Sequence, residues 1–83
     1  MTTYVKLGQM ACDHLEQRTH VHAEIWEVVP PGLRKYVTSY ELTFLDASLD
    51  MPLIKAAVKQ QLSEAHVIGP DVQVFDDAEV RAQ

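Results

Sequence analysis

Two runs of alternating residues, parted by Pro30-Pro31-Gly32, constrain this chain more than any other feature it carries. In the first, Val21, Ala23, Ile25 and Val29 alternate with His20, His22, Glu24, Trp26 and Val28. In the second, Tyr36, Thr38, Tyr40, Leu42 and Phe44 alternate with Val37, Ser39, Glu41, Thr43 and Leu45. Successive strand side chains point to opposite faces, so a period of two predicts a half-buried strand in each run. The odd residues of the first and the even residues of the second form the inner face. Proline presets the backbone of one central turn position and glycine supplies the left-handed next one, which predicts a hairpin closed by a type II turn.

Matching the two inner faces fixes the parity of the pairing, because a slip of one residue would reverse every side chain. The expected register pairs Val29 with Arg34, Ile25 with Thr38, Ala23 with Tyr40 and Val21 with Leu42 inside. Outside it pairs Trp26 with Val37, Glu24 with Ser39 and His22 with Glu41. Neighbouring registers that keep the same faces are alternatives.

A helix is expected next. Asp50 suits the N-cap, Pro52 sits in the first turn where its missing N–H costs nothing, and Leu53, Ile54, Ala57, Val58, Leu62 and Ala65 recur at helical spacing. Lys55, Lys59, Gln60 and Glu64 form its polar side. Gly69-Pro70 punctuates the chain before a short strand over 71–75, and 76–83 read as a frayed tail. The first eighteen residues admit two readings. Tyr4, Leu7, Ala11 and Leu15 fit one helical face, whereas Thr3, Val5 and Leu7 alternate, with Gly8 separating a strand from a shorter helix. The chain is therefore expected to be one small α+β domain over 1–83. It is expected to have a small antiparallel sheet of three or four strands and one or two helices on one face. The order is αββαβ or, alternatively, βαββαβ, which resembles the ferredoxin-like split motif.

At 83 residues the chain can build one core, and 47% hydrophobic with 23% charged residues is a globular composition. One cysteine, Cys12, excludes an internal disulfide, and no N-terminal apolar stretch reads as a signal or anchor, so the expected setting is the cytoplasm. Twelve acidic residues against seven basic ones give a net charge of −5. Nucleic acid and membrane are not expected as direct partners, since backbone phosphates require a cationic stripe. A protein with a basic surface is, because long-range attraction favours it.

The sharpest polar constellation is His20-x-His22-x-Glu24, three potential ligands on one strand face that could approach a divalent transition metal. A strand face exposed to water carries such residues as a matter of course. Cys12 and His14 would point apart on a helix, so neither reinforces the set, and Cys12 reads as a small, partly buried thiol. The acidic set Asp71, Asp76, Asp77 and Glu79 lacks calcium-loop spacing and reads as solvated. Trp26 falls on the outer face with Val28 and Val37, flanked by Glu24 and Glu41. An aromatic anchor in an exposed apolar patch marks a contact surface. The alternative is an N-terminal helix covering that face.

No nucleophile, base or phosphate-cradling loop stands in a recognisable catalytic context. The expected function is thus a non-enzymatic protein-interaction domain without a cofactor. It would act as a small acidic regulator, inhibitor or accessory subunit of a larger complex. One form of this is a mobile-element inhibitor that occupies the nucleic-acid groove of a defence complex, which charge alone suggests. The second reading is a metal- or small-ligand-binding domain using His20, His22 and Glu24, and the third is a self-associating sheet with two-fold symmetry.

Overall fold

The computed structural model describes residues 2–47 and 50–81. Six elements follow in the order β1 (Thr2–Asp13), β2 (Arg18–Val29), β3 (Leu33–Phe44), α1 (Met51–Glu64), β4 (Gln73–Phe75) and α2 (Asp77–Arg81). This is a small α+β fold on a four-stranded sheet of spatial order β3-β2-β1-β4. The three long strands form an antiparallel meander, and β4 lies parallel to β1, so the sheet is mixed rather than wholly antiparallel.

Residues 3–18 hold no helix; they form β1 and the turn into β2. The residues that spaced like one helical face are split by the sheet: Tyr4 lies on the outer face, Leu7 on the inner, Ala11 opposite His20 on the outer again, and Leu15, 98% exposed, in the turn. A bulge interrupts the strand's alternation. Gly8 and Gln9 together oppose His22, so Leu7 pairs with Ala23 and Met10 with Val21. An extra residue moves the inward positions from odd to even numbers and makes the apolar interval three. The turn that follows is held by Asp13, whose carboxylate accepts from the N–H of Leu15 and of Glu16 at 3.0 and 3.1 Å, with Gln17 left-handed. Cys12, expected partly buried, is exposed, with its Sγ 3.6 Å from Thr19 Oγ1.

The β2–β3 hairpin keeps the expected pairs from Val21–Leu42 to Ile25–Thr38, including His22–Glu41 and Glu24–Ser39. A second bulge at Val37 then shifts the register: Trp26 pairs with Tyr36 and Val29 with Leu33, in place of Val37 and Arg34. Tyr36 consequently leaves the inner face for the outer one. In the connecting turn the Pro30–Pro31 peptide is cis, so it belongs to the turn type with cis proline at its third position rather than type II. Gly32, expected at the central left-handed position, stands last in the turn with φ 140°, and its N–H donates to the Val29 carbonyl at 2.8 Å.

α1 covers one face. Asp50 caps it, its carboxylate accepting from the Leu53 N–H at 3.1 Å, and Ile54, Val58 and Leu62 turn inward. They pack with Val5, Leu7, Val21, Ala23, Ile25, Leu42 and Ile68. Leu53 and Ala65, expected on this face, are exposed instead, since the buried stripe is a single row four residues apart. Strands of this length run about 40 Å, whereas α1 runs about 21 Å, so the helix seals only part of the ribbon.

The helix ends in a Schellman motif. His66 is left-handed, its N–H donates to Ser63, and the Val67 N–H donates to Leu62 at 2.9 Å, laying Val67 against the core. Thr19, fully buried, donates its hydroxyl to the Asp46 carbonyl at 2.6 Å and fastens the start of β2 to the end of β3. Where a loose tail is expected, α2 follows β4, and residues 82–83 lie outside the described part. Among the described residues no helix is long and apolar enough to cross a membrane.

Candidate interaction face

The face of the sheet away from α1 carries a row of aromatic rings, one from each strand. Phe75 of β4 meets Tyr4 of β1 edge-on at 6.0 Å between centroids. Tyr4 stacks on Trp26 of β2 at 6.5 Å with 11° between planes, and Trp26 meets Tyr36 of β3 edge-on at 5.6 Å. Edge-on and offset contacts of this kind suit the ring quadrupoles. Burial falls from the middle of the row toward β3: Tyr4 is buried, Trp26 half-buried and Tyr36 48% exposed. Trp26 is thus covered by neighbours on its own face and not by a helix.

Beside the rings runs a charged network. Glu24 accepts from the Trp26 indole N–H at 3.2 Å and lies 3.8 Å from Lys6 Nζ, which pairs with Asp77 of α2 at 3.2 Å. The Lys6 ammonium stands 6.0 Å from the Trp26 ring centre, within cation–π range. On the far side of Glu24, His22 Nε2 lies 3.7 Å from its carboxylate, and Nδ1 is paired with Glu41. A methyl group on Gly8 would come within 2.9 Å of His22 Cδ2, so glycine at the bulge leaves the imidazole its room beside β1. His20 completes the line, its Nδ1 3.1 Å from Thr43 Oγ1.

At the other end of the row a groove of about 540 Å³ is lined by Tyr4, Val28, Arg34, Gln73, Phe75 and Val80, among others. Apolar and polar side chains line it together, Arg34 and Asp71 among them. α2 closes the β4 side. Lys55 of α1 binds Glu79 and lies 3.9 Å from Asp76, and the Glu79 backbone N–H donates to Asp76 at 2.7 Å. The bond from Lys55, supported by the Asp76 backbone N–H, holds the Glu79 carboxyl below its ordinary range. Asp76, Asp77 and Glu79 are therefore engaged within the chain rather than spread along a solvated tail.

Of the residues singled out from sequence, Trp26, Val28, Glu24 and Glu41 share this face, and Val37, 46% exposed, is the bulged residue at the edge of it. His20, His22 and Glu24 remain in a straight row along β2, with the His20 ring nitrogen directed to Thr43 and those of His22 to Glu41 and Glu24. Among the described residues no group of three or more His, Cys, Asp or Glu side chains is arranged to hold a metal ion. Tyr4, Lys6, Tyr36 and Phe75 are members that sequence reasoning missed. Tyr4 and Lys6 needed β1 to be read as a strand, and Tyr36 needed the bulge. None of the known protein families, curated proteins or solved structures compared with this chain matches it.

Proposed function

We propose that this chain is a cytoplasmic, non-enzymatic interaction module that binds a basic protein surface through the open face of its sheet, as a regulator, inhibitor or accessory subunit. The observation that carries the reading is the aromatic row itself. Four rings lie in one line on the face that α1 leaves uncovered. Rigid aromatic side chains supply large contact area at small entropic cost, and carboxylates beside them favour a cationic partner and its rapid encounter. The net charge of −5 acts in the same direction. A mobile-element inhibitor of a nucleic-acid-handling complex is one form of it, with the acidic module competing for a basic groove.

The test is affinity capture from the native lysate at low and high salt, comparing wild type with a Trp26→Leu, Val28→Ser double variant whose folding is verified by circular dichroism. Both substitutions lie on β2, away from the sheet edge. The expected result is a bound protein recovered by wild type, lost with the variant and weakened by salt. Equal recovery by the two chains overturns the reading.

A further inference from the structure

The sheet has one long open edge. β4 is three residues long and packs against α1, and α2, which follows it in the chain, packs against β1. β3 is twelve residues long, and among the described residues nothing pairs with its outer side. A strand edge of this length presents a row of backbone donors and acceptors, and monomeric proteins blunt such edges with proline, lysine, bulges, inward charges or a covering element. β3 carries two of these in its first half, Lys35 and the bulge at Val37. The second half, from Thr38 to Phe44, has no proline, no lysine and no bulge. Leu33, Tyr36, Val37 and Tyr40 along it are between 38% and 68% exposed.

The charges on the edge are laid out head to tail. Arg34 and Lys35 stand at one end and make no ion pair among the described residues, while Glu41, with its side chain 74% exposed, stands toward the other. The bulge at Val37 decides what these charges can meet. Arg34 pairs with Val28 and Glu41 with His22, so both point to the aromatic face although one number is even and the other odd. Lys35 and Tyr40 share the opposite face by the same count, being partners of Glu27 and Ala23. We propose that β3 is a self-association edge: a second copy of this chain adds its own β3 antiparallel about a two-fold axis near Thr38. Arg34 of each strand then lies by Glu41 of the other on the aromatic face, and Lys35 of each by the Tyr40 ring of the other on the helix face.

A two-fold edge contact repeats every favourable pair, and it closes, so two copies complete it. The product is one continuous eight-stranded sheet in which the two aromatic rows approach each other at Tyr36. Small single-core chains often gain stability this way. An unrelated basic strand would satisfy Glu41 but would oppose Arg34 and Lys35; the second copy satisfies both ends.

Sedimentation and light scattering over micromolar to millimolar concentrations test this with charge reversals. Wild type is expected to dimerise. An Arg34→Glu, Lys35→Glu double variant sets a like charge against Glu41 and takes the cation from the Tyr40 ring, and Glu41→Lys sets a like charge against Arg34. Each alone, verified as folded, is expected to weaken the dimer roughly tenfold or more. An equimolar mixture of the two variants restores both matches and is expected to give a heterodimer. A wild type that stays monomeric throughout, association that is indifferent to either reversal, or open-ended assemblies in place of a dimer each overturn the proposal.

Discussion

The two faces of the sheet are built from different chemistry. Under α1 the contacts are aliphatic: Val5, Leu7, Val21, Ala23 and Ile25 meet Ile54, Val58 and Leu62, and every one of them is buried. On the other face the rings of Tyr4, Trp26, Tyr36 and Phe75 lie beside a line of charged groups, and most of these residues keep part of their surface in water. Aliphatic side chains interdigitate and gain from complete removal of water, whereas rings and ion pairs keep specific geometry without it. The covered face holds the chain together, and the open one is left free to touch something else.

The sharpest way to break that contrast is to truncate one side chain on each face. Leu62→Ala should cost about 3 kcal/mol, because it leaves a cavity in a fully packed site. Tyr36→Ala should cost less than about 1 kcal/mol, losing one edge-on ring contact. Denaturant titration of both variants measures the difference, and equal losses would mean that the two faces carry stability alike.

Gly8→Ala strikes the open face alone. The added methyl displaces the His22 imidazole and with it the pairing to Glu41, for an expected loss of about 1 kcal/mol. Histidine ring signals in NMR should move for His22 and stay in place for His66. A Gly8→Ala chain with unaltered His22 signals would show that the bulge does not set the position of this ring.

His66→Gly tests the end of α1. A residue other than glycine holds the left-handed position there, so the substitution should stabilise the chain by about 0.5–1 kcal/mol. A loss measured by thermal unfolding would instead credit the imidazole with a contact of its own.

The smallest effect concerns the edge where the two faces meet. Because the Glu79 carboxyl is held below its ordinary range, its contribution to anchoring α2 is present above that ordinary range and is lost as pH falls through the lowered value. Amide exchange in α2 should therefore quicken on acidification, and Glu79→Gln should remove that dependence. Exchange in Ile54 and Val58 should not follow it. If it did, α2 would belong to the core rather than to the open edge.

The hairpin, α1 and β4 were legible from local pattern: two alternating runs around a Pro-Gly turn, a capped run of apolar residues at helical spacing, and a short apolar pair after Gly69-Pro70. Legibility stopped at the two bulges. At Gly8–Gln9 an extra residue breaks the alternation of β1, and at Val37 another moves Tyr36 and Arg34 from the inner face to the outer one. The acidic run 76–79 looked solvated because its two lysine partners, Lys6 and Lys55, are far away in sequence.

By itself, then, the sequence determined which residues of β2 turn inward, since a period of two leaves one choice once burial favours Val21, Ala23 and Ile25. Only tertiary structure decided that the rings of four separate strands fall into one row. A bulge shifts register by a single residue, and whether the chain takes it depends on the strand lying opposite, which no local window contains.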